Sequence, residues 1–157
     1  MEIDKLKVLK AGKIASEVKK YAKAIIKTGA PLLEIAEKIE AKIEELGGKP
    51  AFPVNLSIND IAAHYTPSYD DKTLASGLLK VDLGVHIDGW VADTAFSMDL
   101  ENNEENKRLI LVSEDALKIA SKTIKFKIKN NEIGRMIEDT ISSGEISPII
   151  NLSGHGI

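Results

Sequence analysis

The feature that most constrains the fold is an alternating apolar segment from Leu78 to Met98, interrupted once by Asp88-Gly89. Alternation with a period of two predicts β-strand, and Asp-Gly is a preferred dipeptide for the tight turn between two antiparallel strands. We therefore predict a β-hairpin centred on Asp88-Gly89. That centre also fixes the register, which means that it fixes which residues lie on each face.

The predicted register gives the hairpin one apolar face and one face with two carboxylates. The apolar face is made of four cross-strand pairs: Ile87–Trp90, Val85–Ala92, Leu83–Thr94 and Val81–Phe96. The other face carries Asp82 and Asp93 as diagonal neighbours, with Cα atoms about 7–8 Å apart. A slip by one residue would bury both aspartates, which is costly. Such a pair can bind divalent cations, can share a proton in acid–base chemistry, or can simply be solvated.

Helical periodicity dominates the rest of the chain. An asparagine at 102 or 103, followed by two glutamates, is a typical helix start. Helices alternating with short strands, together with one antiparallel hairpin, favour an α+β fold. The predicted helices cover about 3–25, 31–46, 102–125 and 131–142, the predicted short strands cover 61–65 and 148–152, and a turn-rich connection is predicted at 55–60.

Composition and charge exclude several classes of protein. The chain has 157 residues and no cysteine, which excludes a disulfide framework, a thiolate metal site and a cysteine nucleophile. No apolar run approaches the ~18 residues of a membrane span, and the charged start is unlike a signal peptide. The formal net charge is −3, so we expect no general attraction to a membrane and no direct binding of nucleic acid.

The histidines are weaker signals when each is taken alone. His64 ends a short apolar run, where a histidine bonded to backbone is the common case. His155 lies between two glycines, which allow close approach of a ligand, although a mobile chain end has the same pattern. His86 shares the aspartate face near the turn and is predicted to be a surface residue. Gly84, opposite Asp93, either leaves room for a ligand or marks a strand irregularity.

Five segments, in this order, together resemble the methionine aminopeptidases of the type 2 branch, which is found in archaea and eukaryotes. They are Lys49–Asn55, Ile61–Pro67, Leu79–Gly89, Ala92–Phe96 and Asn151–His155. The spacing of eleven residues between Asp82 and Asp93 is also the spacing found in that family. The segment around His64 favours this family over the related proline-specific peptidases. The resemblance extends from the first helix to the last residue.

The resemblance implies the pita-bread fold, an α+β architecture of two pseudo-symmetric halves with a dinuclear metal site between them. Asp82 would bind one metal ion, Asp93 would bridge both ions, and His155 would bind the other. His64 would be catalytic and would contact the substrate near the scissile bond, and Phe52 would help to line the methionine pocket. The two divalent ions, which would be Co, Mn, Fe or Zn, would turn a bridging water into hydroxide.

The implied activity is removal of the initiator methionine from nascent polypeptides in the cytoplasm, with their amino termini as the substrate. The family uses five ligands, and two of them are glutamates downstream of the histidine, for which this chain has no matching motif. We therefore expect residues 1–157 to be the amino-terminal part of one catalytic domain, with the carboxy-terminal half absent and the chain inactive alone.

Two alternatives remain open for the function. The first is a non-catalytic relative with the same fold, which would bind protein or RNA. Such relatives typically lose metal ligands, whereas Asp82, Asp93 and His155 are all present here. The second is a proline-specific peptidase of the same fold, which would cleave before proline.

Overall fold

The structure is a computed structural model, and it describes residues 3–150. Within that range the helices are α1 (Lys5–Ile25), α2 (Leu32–Glu45), α3 (Glu104–Thr123) and α4 (Asn130–Ser143), and the strands are β1 (Lys49–Pro50), β2 (Asn55–Ile58), β3 (Leu78–Ile87) and β4 (Trp90–Asp99). The chain divides after Glu101 into two compact units. The first unit holds α1, α2 and all four strands, and the second holds α3 and α4.

The helix ends follow the local signals that the sequence carries. The Asp4 carboxylate accepts a hydrogen bond from the Lys7 amide at 3.2 Å and so caps α1. Of the two asparagines predicted to begin the third helix, Asn103 is the cap, because its side chain accepts from the amides of Glu105 and Asn106. Each cap satisfies backbone N–H groups that have no partner within the helix.

The hairpin of β3 and β4 has the predicted register. Ile87 faces Trp90, and the ladder continues without a break to Leu78 opposite Asp99. Asp88 and Gly89 have φ values of 49° and 87°, which is the left-handed pair that a two-residue type I′ turn requires. The local turn chemistry and the alternating pattern therefore agree on one arrangement.

β3 is the central strand of the sheet. β4 pairs with β3 along the whole length of β3. The short strands β1 and β2 lie one after the other along the opposite edge of β3, and both are antiparallel to β3. Lys49 in β1 faces His86, and Asn55 in β2 faces Asp82. This arrangement places the segment between β1 and β2 beside the carboxylate face of the hairpin.

The apolar face of the hairpin packs on α1, and α2 packs on the short strands β1 and β2. Val81, Leu83 and Val85 are fully buried, and Phe96 is nearly so. Both helices contribute side chains to the same core cluster, among them Ile14, Val18, Ile39 and Ile43. Burial of this face fixes the register, because a slip would exchange these side chains for Asp82 and Asp93.

The second unit is a pair of packed helices. The Arg108 guanidinium donates to the Gly144 carbonyl and to the Glu145 carboxylate, at 2.5 Å and 2.9 Å. Gly144 caps α4, and a Cβ atom built there would lie 2.6 Å from Cγ2 of Val112. The close approach of the two helices at this end therefore requires glycine. The predicted end of the fourth helix at Gly144 is confirmed.

The structure differs from the sequence prediction in three short segments. The predicted turn-rich connection at 55–60 is wrong, because 55–58 form the buried strand β2. The predicted strand at 61–65 is also wrong: the Tyr65 amide donates to the Ser57 hydroxyl rather than to a ladder carbonyl. Residues 146–150 form no strand, and the remainder of the predicted strand at 148–152 lies outside the described residues.

Within residues 3–150, no helix combines the length and the apolar character needed to cross a bilayer.

Candidate metal and substrate site

Asp82 and Asp93 lie on the same face of the hairpin, away from the core. Asp82 faces Ala95 and Asp93 faces Gly84, so the two carboxylates are diagonal neighbours, as predicted. Asp82 is half-buried and Asp93 is exposed. Two oxygen-donor side chains on one face of a rigid hairpin are chemically suited to divalent cations.

Phe52 covers the same face at the position of Gly84. A Cβ atom built on Gly84 would lie 2.8 Å from Cδ1 of Phe52 and 2.9 Å from the Cβ atom of Ala51. The Ala51 amide also donates to the Gly84 carbonyl at 3.0 Å, which holds this segment against β3. The Phe52 ring therefore occupies the space that a side chain at position 84 would fill. Asp93 is the cross-strand partner of Gly84, so the ring lies beside Asp93.

Asn55 links the carboxylate face to the segment that carries His64. It stands opposite Asp82 in the ladder and is only 9% exposed. Its amide group donates to the Pro53 carbonyl at 2.9 Å and to the Thr66 hydroxyl at 2.8 Å. Sequence reasoning missed Asn55, although a polar residue in a buried strand needs such partners.

His64 is exposed and has a left-handed backbone with φ of 66°. For a residue with a Cβ atom this conformation costs about 1 kcal/mol, so the surrounding structure must stabilise it. The next residue is held by two hydrogen bonds: the Leu56 amide donates to the Tyr65 carbonyl at 2.7 Å, and the Tyr65 hydroxyl donates to the Asp71 carboxylate at 2.6 Å.

Two carboxylates of the first unit have pKa values below the usual range for aspartate. Hydrogen bonds from Thr73, and then from Tyr65, lower the pKa of Asp71. Lys7, whose Nζ atom lies 2.8 Å from the carboxylate, lowers the pKa of Asp88. Both side chains are therefore anionic at neutral pH and act as hydrogen-bond acceptors.

His86 has a structural role at the hairpin turn. It was predicted to be a surface residue, and the structure places it half-buried instead. Its Nδ1 atom accepts a hydrogen bond from the Gly89 amide at 3.1 Å, because the turn folds that amide back over the strand.

The structure thus brings Asp82, Asp93 and Phe52 to one face and ties the His64 segment to the neighbouring strand. The remaining predicted ligand, His155, lies outside the described residues. Within residues 3–150, no group of three or more histidine, aspartate or glutamate side chains is placed to hold one ion. The donor chemistry of the two aspartates fits a divalent cation, and His155 stays a ligand predicted from the resemblance.

The sequence of residues 7–157 matches the model of metallopeptidase family M24. The chain belongs to this family.

Several similar proteins are named methionine aminopeptidases. The chain is 51% identical over 152 residues to the methionine aminopeptidase of Thermococcus onnurineus (strain NA1), which covers 96% of this chain and 51% of that protein. It is 44% identical over 164 residues to that of Methanothermus fervidus, which covers 96% of this chain and 87% of that protein. The chain spans about half the length of most of the curated relatives it matches.

Solved structures confirm the pita-bread fold. The methionine aminopeptidase of Rickettsia prowazekii has a TM-score of 0.86 at 26% identity, covering 96% of this chain and 64% of that one. The prolidase of Pyrococcus furiosus has a TM-score of 0.74 at 20% identity, covering 87% of this chain and 41% of that one, and it supports the fold alone. The α+β fold predicted from the sequence is therefore confirmed.

Proposed function

We propose that the protein expressed from the complete gene removes the amino-terminal methionine from nascent polypeptides in the cytoplasm, as a metal-dependent aminopeptidase. The observation that carries this proposal is the carboxylate face of the hairpin, where Asp82 and Asp93 lie beside the ring of Phe52. Carboxylate oxygens are suitable ligands for the divalent ions of a metallopeptidase, and an apolar surface next to them suits a methionine side chain.

We assign Asp82 to one divalent ion, Asp93 to both ions and His155 to the second. Bound there, two ions of Co, Mn, Fe or Zn would act as Lewis acids on the scissile carbonyl and on the attacking water. The hairpin holds the two carboxylates in a fixed relation, because the ladder is continuous and the opposite face is buried. A rigid ligand pair lowers the cost of organising the site.

We assign His64 a catalytic contact with the substrate near the scissile bond. Its side chain is exposed, and Thr66, two residues later, is hydrogen-bonded to the residue opposite Asp82. An imidazole at this place is able to donate a hydrogen bond to the peptide group or to accept one from it.

Phe52 is expected to select methionine. Replacing Phe52 with alanine removes the ring that packs on Gly84 and leaves a wider pocket, so the preference for methionine over smaller residues should fall by about 10-fold to 100-fold. The measurement is the ratio of kcat/KM for methionyl and alanyl peptides. Phe126, which is 89% exposed in the second unit, supplies the matched control variant Phe126→Ala. An unchanged ratio in Phe52→Ala would remove this residue from the pocket.

The proposed activity is tested by product analysis on the protein expressed from its complete gene, supplied with each divalent metal in turn. We expect release of free methionine from Met-Ala-Ser and no cleavage of Ala-Pro-Ser, whose amino-terminal residue is not methionine. Cleavage restricted to bonds before proline would establish the proline-specific alternative. No cleavage of either substrate with any metal would favour the non-catalytic alternative.

A further inference from the structure

The loop after His64 contains a hydrogen-bond network whose members are not among the residues assigned to the metal and substrate site. The Tyr65 hydroxyl donates to Oδ2 of Asp71 at 2.6 Å and lies 3.1 Å from the Thr73 hydroxyl oxygen. The Thr73 amide donates to Oδ1 of Asp71 at 2.7 Å. Both carboxylate oxygens of Asp71 are therefore engaged, and three side chains form one unit, which we call the Tyr65 network.

The Tyr65 network is anchored to the fold at both ends. At one end, the Leu56 amide of β2 donates to the Tyr65 carbonyl at 2.7 Å. At the other end, the Leu32 amide at the start of α2 donates to the Thr73 carbonyl at 2.9 Å. The Tyr65 ring also packs against the core cluster. The backbone of Tyr65 is consequently fixed from several directions.

His64 directly precedes this network in the chain. Within residues 3–150 the His64 side chain has no hydrogen-bond partner, so its direction is set by its own backbone and by the residue that follows. That backbone is left-handed, which a residue with a Cβ atom adopts only when its neighbours impose it. The neighbour that is held most firmly is Tyr65.

We propose that Tyr65 is a positioning residue, whose hydroxyl bond to Asp71 holds His64 in the left-handed conformation from which the imidazole meets the substrate. This proposal rests on the proposed function, because it gives a role to the substrate contact of His64. It extends that function to a side chain which itself touches neither substrate nor metal.

The network is intact at neutral pH. Hydrogen bonds from Thr73 and from Tyr65 lower the pKa of Asp71 below its usual 3.8, so the carboxylate is ionised and accepts both bonds there. Protonation would begin only well below the pH at which an aminopeptidase is assayed.

A double-mutant cycle tests the proposal on the protein expressed from its complete gene. Tyr65→Phe keeps the ring and removes the hydroxyl, and we expect kcat for a methionyl peptide to fall about 10-fold with unchanged metal content. Tyr69, which is 96% exposed in the same loop, supplies the matched control Tyr69→Phe, with kcat expected within about 2-fold of the unmodified protein.

The informative comparison is made in the His64→Ala background. If Tyr65 acts through His64, Tyr65→Phe has no further effect on kcat there, since coupled residues are non-additive. An equal loss in both backgrounds, or an unchanged kcat in Tyr65→Phe alone, would overturn the proposal. Asp71→Asn, which weakens the same bond from its other side, should reproduce the behaviour of Tyr65→Phe.

Nuclear magnetic resonance separates this proposal from the proposed function. The His64 imidazole signals are assigned by their loss in His64→Ala. We expect these signals to shift or broaden in Tyr65→Phe and Asp71→Asn, but not in Tyr69→Phe. If the signals shift in these variants but the unmodified protein releases no methionine, the proposed function is wrong and the positioning role of Tyr65 stands. Unchanged signals with normal methionine release would overturn the positioning role alone.

Discussion

Replacing Asp93 with asparagine is expected to lower kcat/KM for methionyl peptides by about three orders of magnitude, or roughly 4 kcal/mol of transition-state stabilisation. A carboxylate offers two anionic oxygens that are able to bind separate cations, whereas the asparagine side chain is neutral and has a single oxygen. Asp93 is exposed and faces Gly84, so the nearly isosteric change leaves the packing of the hairpin intact.

Asp88→Asn is the matched control for this experiment. It makes the same chemical change on the same hairpin, at a turn position where the left-handed conformation suits asparagine well. It removes only the exposed ion pair with Lys7, and activity should stay close to that of the unmodified protein. Turnover by Asp93→Asn above about a tenth of normal, with normal metal content, would contradict the bridging role.

Replacing His64 with alanine is expected to lower kcat by about 100-fold while the metal content stays unchanged. The imidazole is assigned to the substrate and not to the metal ions, so its loss should affect turnover alone. Steady-state kinetics and metal analysis of the same preparation give both quantities.

His86→Ala is the matched control for His64. Its imidazole supports the hairpin turn through the Gly89 amide, so this variant should lose some stability and keep its turnover. If His64→Ala loses metal together with activity, then His64 belongs among the ligands and its assigned role is wrong.

The hairpin and its two faces could be predicted from the sequence because three local signals agree. The period-two pattern gives the strands, Asp88-Gly89 gives the turn, and the cost of burying Asp82 and Asp93 excludes a slipped register. All of this is contained in about twenty consecutive residues. The resulting ladder is the one observed.

The support around the site could not be predicted in the same way, because it depends on pairing between distant segments. The segment of β2 is predicted as a turn because Asn55, Ser57 and Asn59 are turn-forming residue types, and an alternation of four residues is too short to outweigh them until β3 pairs with it. The packing of Phe52 on Gly84 and the bond from Tyr65 to Asp71 arise only after those strands meet.

The metal-ligand assignment likewise has a part that local sequence signals predict and a part that they do not. Asp82 and Asp93 meet because of a local hairpin, and their common face follows from the sequence alone. The placement of His155 stays a prediction from the resemblance, because this residue lies outside the described part of the chain.

The measurement that tests the central claim most directly is the metal content of the protein expressed from its complete gene, compared with the Asp82→Asn/Asp93→Asn double variant. After equilibrium dialysis against a divalent metal, we expect about two ions per chain in the unmodified protein and almost none in the double variant. Equal metal content in the two proteins, with methionine release retained, would contradict the assignment of these aspartates.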